Sequence, residues 1–416
     1  MAKQATQHRR ALVLAGGGAR GAYEAGVLAY VFEHVYPRLP PGFEFDIFSG
    51  TSVGAVHAAF SAATANADPG LRAKQLLEAP RTMRLSEVLH LTLGDLLGIP
   101  LRALGLRRAR GSAGGSPVLG GLVDVAPLER IVEERIPWSR LRDGLRHSTP
   151  KALCISCTEV RTGRVTVFMD GPLADGRPWA HDPNAGAIET RIDARHVRAS
   201  ASIPFLFPAV LIEGRYYVEG GLRMNTPLSP ALRLSADRIL VVALKKRPRL
   251  AGDATPCPEQ AVTQPAFLLG KVLDALTLDQ LEYEIHHLEL VNALIARGET
   301  VYGDDFLARI NPAVQEQRGA GYRRVETAIL RPSQDLGALA AESHRRSGGP
   351  RELGLVSALL TQATRRGVPE EEADLLSYLL FDRCYTEPLL ELGRADASAR
   401  ADEIVALLMR DEGETS

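Results

Sequence analysis

Two glycine-rich segments carry the residues of this chain best suited to chemistry. Gly50-Thr51-Ser52-Val53-Gly54 is a G-x-S-x-G set between a strand-like run, FEFDIFSG (43–50), and a small-residue helical run, AVHAAFSAATA (55–65). A chain that passes from strand to helix in so few residues turns sharply, and the neighbours of the serine must then be small. Gly50 and Gly54 meet that demand. Ser52 would project its hydroxyl from the sheet edge, with the N–H groups and dipole of the next helix facing any anion that develops. This is an arrangement for nucleophilic attack on a carbonyl.

The second segment, Gly16-Gly17-Gly18-Ala19-Arg20-Gly21, has two readings. Gly16, Gly18 and Gly21 satisfy G-x-G-x-x-G, a dinucleotide fingerprint that expects an acidic residue about twenty positions on. The elbow occupies that place, and Asp46 comes too early, inside the strand. The other reading is an oxyanion hole, in which glycine N–H groups point at the carbonyl oxygen of a substrate. Adjacent parallel strands would bring both loops to one sheet edge, which favours the hydrolase.

The elements around these loops support that placement. RALVLA (10–15) reads as a buried strand and AYEAGVLAYVFEHVY (22–36) as a helix, with Ala25, Leu28, Ala29 and Phe32 at helical spacing. The opening is therefore β-α-β-α, the pattern of a parallel sheet with crossover helices. Strands resume at KALCISCTEV and GRVTVFMD, joined through Arg161-Thr162-Gly163 as a hairpin. RASASIPFLFPAVLIEGRYYVEGGLRMNTPL (198–228) reads as an apolar, proline-broken loop and hairpin, and RILVVALKK (238–246) and TAILRPS (327–333) as further strands. The fold class expected is α/β, a parallel-rich central sheet flanked by helices in three layers. Residues 1–345 are expected to form one domain that holds both loops, and 346–416 a helical C-terminal extension. Within the first, residues 82–122 mix leucines with Arg102, Arg107, Arg108 and Arg110, the composition of a mobile lid or membrane-facing insertion.

Taken together, G-G-G-x-R-G, then G-x-S-x-G, then Glu219-Gly220-Gly221 in RYYVEGGLRMNTPL resemble the patatin-like phospholipase family. Its pattern closes on D-G-G or D-G-A. SASIPFLFPAV resembles the apolar loop before that closing motif, and TEVRTGRVTVF the central hairpin of the family. The resemblance spans residues 10–335. It implies a lipid acyl hydrolase of phospholipase A or lysophospholipase type, working through a Ser–carboxylate dyad without histidine. Ser52 would be the nucleophile, and Glu219 would stand where the family has aspartate, as general base. Gly17 and Gly18 would donate to the oxyanion, with Arg20 bracing their loop. The resemblance implies no cofactor and no metal; the partner is a phospholipid or other acyl-lipid substrate. The departure at Glu219 keeps a carboxylate but adds a methylene, and displacement of about 1 Å at a reacting centre can cost a hundredfold in rate.

Three alternatives stay open on the residues alone. A Ser-acid-His triad would need a late histidine, but His286 and His287 fall in a strongly helical stretch and His57 lies five residues past Ser52, turned from its hydroxyl. A nucleotide-binding module is the second, and a catalytically weakened lipid-binding protein of the same fold the third. Composition bounds the rest. The 416 residues carry 49 Lys plus Arg against 50 Asp plus Glu, a formal net charge of -1, so no global basic field recruits nucleic acid. Four scattered cysteines favour a reducing compartment. Cys154 and Cys157, three apart on a strand, should face opposite ways as buried thiols. The apolar run ALVLA is too short for a signal peptide, and no segment approaches a membrane span. The expectation is a cytoplasmic protein with peripheral membrane contact, its C-terminal helices available for homo-oligomerisation.

Overall fold

The computed structural model describes residues 8–82, 126–246, 281–346 and 374–409, apart from 148, 174, 176, 180–181 and 205–206. The candidate insertion at 82–122 lies outside them except for Thr82, as does most of 346–373. The strands are β1 (Arg10–Leu14), β2 (Ile47–Gly50), β3 (Ala152–Glu159), β4 (Val165–Asp170), β5 (Ala185–Glu189), β6 (Val210–Ile212), β7 (Arg215–Val218), β8 (Arg238–Val242) and β9 (Glu326–Leu330). They form one sheet in the order β5-β4-β3-β2-β1-β8-β9, with the β6–β7 hairpin added at β3. The pairs β1–β2, β1–β8, β2–β3 and β8–β9 are parallel.

Helices cover both faces. In chain order they are α1 (Gly21–Tyr30), α2 (Val53–Ala63), α3 (Pro69–Thr82), α4 (Ala126–Arg135), α5 (Trp138–His147), α6 (Ala194–Ser200) and α7 (Leu228–Arg233). After these come α8 (Leu281–Tyr302), α9 (Phe306–Arg318), α10 (Leu336–Arg346), α11 (Asp374–Leu379), α12 (Arg383–Ala399) and α13 (Ala401–Met409). Side chains alternate across a strand, so Leu12 and Leu14 of β1 join the core under α1, α2 and α12, while Ala11 and Val13 join the one under α7 and α8. Cys154 and Cys157 divide in the same way, both buried and free, one in each core. This is the expected three-layer α/β arrangement, and the C-terminal helices belong to it physically. Gly393 of α12 lies so close to α1 that a β-carbon there would come within 2.1 Å of Tyr23 O.

The helix expected over 22–36 is helical throughout but changes winding. α1 gives way to a π turn at Val31–Val35 and a 3-10 turn at Tyr36–Arg38, where Pro37 can give no backbone N–H. Among the described residues no helix is long and apolar enough to cross a membrane.

Two strands share one edge of β3. Its first half pairs with β2, Ile47 to Gly50 against Ala152 to Ile155. Beyond the end of β2, β7 pairs antiparallel with the last part of β3, Thr158 against Val218 and Glu159 against Tyr217. β2 and β7 therefore run towards each other along that edge. The residues that follow each of them meet opposite Ser156 and Cys157.

Candidate active site

Ser52 follows β2 and Glu219 follows β7. Their side chains meet: Ser52 Oγ lies 3.0 Å from Glu219 Oε2 as its hydrogen-bond donor. Ser52 has φ 56 and ψ -123, a left-handed conformation that non-glycine residues adopt only under strain. The elbow explains the conformation, and the flanking glycines make it feasible. A β-carbon on Gly50 would lie 2.2 Å from Gly54 O, and one on Gly54 would lie 2.3 Å from Leu14 O. Three groups fix the turn. Ser52 N–H donates to Ser200 Oγ at 2.9 Å, Ser200 Oγ–H donates to Ser156 O at 2.6 Å, and Thr51 Oγ1–H donates to Met224 O at 2.9 Å. Ser200 is fully buried at the end of α6, and no sequence signal marks it.

The acid is held as tightly. Glu219 is 4% exposed; Gly221 N–H donates to its Oε1 at 3.1 Å, and Thr158 Oγ1–H donates to its backbone carbonyl at 2.9 Å. A β-carbon on Gly220 would meet Ser156 O at 2.1 Å, so the chain can approach β3 only with glycine there. Burial raises the Glu219 carboxyl from the ordinary value near 4.5 to about 8, against the lowering effect of the Gly221 and Ser52 hydrogen bonds. A carboxyl tuned to that range can take a proton near neutrality.

The glycine loop borders the same place. A β-carbon on Gly16 would lie 3.1 Å from Ser52 Cβ, and Gly18 and Gly21 line the cavity that Ser52 lines. Arg20, 3% exposed, turns away from Ser52: its Nε donates to Ser377 Oγ at 2.8 Å, and its guanidinium sits 4.2 Å from the centre of the Tyr378 ring. Arg20 thus ties the loop to α11, more than 350 residues further along the chain. The cavity measures about 370 Å³ and runs from the elbow past Val53, Val56 and Phe60 to Leu76 and Val132. That volume and apolar lining suit a small ligand's hydrocarbon part.

The two glycines expected to serve an oxyanion differ in what surrounds them. Gly18 has φ 55, and a β-carbon on it would meet Tyr378 O at 2.4 Å, whereas one on Gly17 would meet Leu244 Cδ1, at 2.6 Å. Gly18→Ala would displace α11 as well as the loop. Gly17→Ala asks only a flexible side chain to move, so it is the cleaner test of an oxyanion donor. Alanine keeps the N–H, so the expected loss of ester turnover comes from shifting that donor as the loop yields to Leu244, where a displacement of about 1 Å can cost a hundredfold, with the thermal midpoint little changed. Unchanged turnover would remove Gly17 from the oxyanion hole.

The remaining candidates fall elsewhere. His286 and His287 are exposed on α8, across the sheet from the elbow. His57 is buried and pairs with Glu24, Nδ1 to Oε2 at 2.7 Å, instead of with Ser52. Among the described residues no group of three or more His, Cys, Asp or Glu is arranged to hold a metal ion.

The patatin-like phospholipase family model matches residues 12–232, more than half of the chain. The chain belongs to the patatin-like phospholipase family. The match takes in the glycine loop, the elbow and the E-G-G turn of this family member. Solved structures to which the chain is similar include human GIVD cytosolic phospholipase A2 in complex with methyl γ-linolenyl fluorophosphonate. It is 13% identical, with 96% of this chain and 58% of that one covered, at a TM-score of 0.39. VipD from Legionella pneumophila is 12% identical over 93% of this chain and 67% of its own, at a TM-score of 0.29. ExoU from the type III secretion system of Pseudomonas aeruginosa, in complex with SpcU, is 16% identical over 96% and 78%, at a TM-score of 0.26. The chain thus spans less than two thirds of the human phospholipase. No curated protein sequence matches it significantly.

Proposed function

We propose that the chain is a lipid acyl hydrolase that cleaves carboxylic esters through a Ser52–Glu219 dyad and an acyl-enzyme. The observation that carries this reading is the strained Ser52, its hydroxyl 3.0 Å from a buried carboxylate at the end of an apolar cavity. In the ionised form Glu219 accepts the Ser52 proton as Oγ attacks the ester carbonyl carbon. Negative charge then moves to the carbonyl oxygen, where the Gly17 and Gly18 N–H groups would stabilise it. Collapse expels the alcohol, which takes the proton from Glu219, and leaves the acyl group on Ser52. Water repeats the attack with Glu219 again as base, releasing a fatty acid and restoring the serine.

The cavity supports an acyl-lipid substrate, with the chain in the apolar channel and the head group outside, and the cycle calls for no cofactor. A phospholipase A or lysophospholipase would present such an ester at a lipid surface, so we place the working enzyme in peripheral contact with a membrane. We also assign the helices after residue 345 a part in the site, because Tyr378, Leu379 and Phe381 line the cavity. The test is incubation with a fluorophosphonate probe followed by peptide mapping. An adduct on Ser52 is the expected result, and labelling of any other serine, or of none, overturns the reading.

A further inference from the structure

The cavity wall formed by α2 is apolar except at one point. Val53, Val56 and Phe60 line it, and His57 lines it among them, spaced as one helix face presents its side chains. His57 is 8% exposed. Its Nδ1 is held by Glu24 Oε2 at 2.7 Å, and Glu24, on α1, is completely buried. The Nδ1 edge of the ring therefore faces Glu24, which leaves the edge that carries the other nitrogen, Nε2, as the part of the ring able to meet a ligand in the cavity that His57 lines. Among the described residues no protein group hydrogen-bonds Nε2.

The other buried polar groups on this wall are satisfied. Ser52 Oγ donates to Glu219 and Thr386 Oγ1 donates to the Pro80 carbonyl at 3.0 Å. Gln75, Glu78, Glu134 and Arg135 are exposed and form the rim. An unsubstituted alkyl chain filling the cavity would displace water from Nε2 and leave it unpaired. Such a loss weakens binding by tenfold or more when the site is desolvated.

We infer that His57, oriented by Glu24, is a specificity-determining residue that hydrogen-bonds a hydroxyl group carried on the acyl chain of the substrate. The inference rests on the hydrolase reading and names its substrate class more closely. Apolar residues flank His57 on both sides, Val53 and Val56 towards the elbow and Phe60 and Leu76 beyond it. The group it meets is therefore an isolated oxygen within a hydrocarbon chain, not the glycerol of a lipid head group. His57 follows Ser52 by five residues, a rise of about 7.5 Å along α2, and helical side chains lean back towards the N-terminus. The oxygen then belongs to the carbonyl-proximal half of the chain.

The test compares kcat/KM for nitrophenyl decanoate with a set of hydroxydecanoyl esters in which one hydroxyl moves along the chain. The full-length wild type, His57→Leu and His57→Gln proteins are compared. At one hydroxyl position the wild type should favour the substituted ester by about tenfold. His57→Leu should bring that ratio to about one, and His57→Gln, which keeps a hydrogen-bonding group, should retain part of it. If His57 merely staples α1 to α2, both esters suffer alike and the ratio stays at its wild-type value, which overturns the inference. A wild-type ratio near one at every position overturns it as well. Calorimetric binding of decanoate and of each hydroxydecanoate in the series to Ser52→Ala protein measures the same ratio without turnover. A tenfold difference there, with no ester hydrolysed by the wild type, would uphold the His57 site while sinking the dyad.

Discussion

Ser52→Ala is expected to reduce ester hydrolysis by at least ten-thousandfold, the scale on which loss of a covalent nucleophile is felt, while the protein remains folded. Ser52→Gly should be equally inactive but more stable than Ser52→Ala. Both variants lose the hydrogen bond to Glu219, so the difference between them isolates the backbone. With φ at 56 and ψ at -123, alanine keeps the strain and glycine relieves it, which is worth about 1 kcal/mol after the extra freedom of glycine in the unfolded chain is counted. Thermal unfolding of the two variants side by side measures this directly. A glycine variant no more stable than the alanine one would mean that the elbow stores no strain, and turnover comparable to the wild type in either would mean that Ser52 is not the nucleophile.

The elbow is legible in the sequence because its constraints are local. Gly50 and Gly54 are required by atoms at most a few residues away or on the adjacent strand, and a β-turn-α transition leaves its mark in periodicity and small residues. The glycine loop is legible through its spacing, and the E-G-G turn through the resemblance to the family pattern. What periodicity cannot give is the partner of a buried polar group. Arg20 meets Ser377, Ser52 N–H meets Ser200, and His57 meets Glu24. Each of those partners is an ordinary-looking residue in an ordinary-looking helix. Its helical offset already separates His57 from the Ser52 hydroxyl, yet its place in the cavity wall depends on how α1, α2 and α3 pack together. Strand limits are less legible. The run at 43–50 becomes a ladder only from Ile47, because Phe43 and Phe45 pack edge to face with each other and Asp46 is drawn to the Arg10 N–H at 2.9 Å.

The meeting of Ser52 and Glu219 is a property of topology more than of either motif. β2 and β7 approach along the same edge of β3 and stop short of each other, so the gap between their ends sets how long the acidic side chain must be. In this chain the carboxylate reaches the hydroxyl at 3.0 Å with a glutamate. The extra methylene relative to the family pattern is therefore accommodated in the ground state. Cys157, beside Ser52 and Glu219 on β3, feels it too: burial and the neighbouring Glu219 carboxylate hold its thiol well above the usual range. Cys157 therefore offers no competing thiolate nucleophile.

Two Glu219 variants should consequently separate from the wild type and from each other. Glu219→Gln keeps the size, removes the base and should lower kcat/KM by about a thousandfold or more, since a general base contributes on the order of a hundred- to ten-thousandfold. Glu219→Asp withdraws the carboxylate by one methylene, and with β7 fixed on β3 the gap to Ser52 should widen by about 1 Å, at a cost near a hundredfold. The family pattern alone points the other way, to an aspartate at least as active as the glutamate, so this variant decides between motif and geometry. In the wild type, kcat/KM should rise with pH through about 8 as Glu219 loses its proton, and the residual rate of Glu219→Gln should lack that limb. Stability should move oppositely. Between the ordinary carboxyl value near 4.5 and about 8, the folded protein keeps a proton that the unfolded chain has released. The unfolded state thus binds fewer protons, and unfolding free energy falls as pH rises across that window. Denaturant titrations from pH 5 to pH 9 should show a steeper decline in the wild type than in Glu219→Gln, which keeps the raised carboxyls of Glu24 and Glu44 but not that of Glu219. Equal activity in all three proteins, with parallel pH–stability curves, would make Glu219 a bystander and remove the dyad.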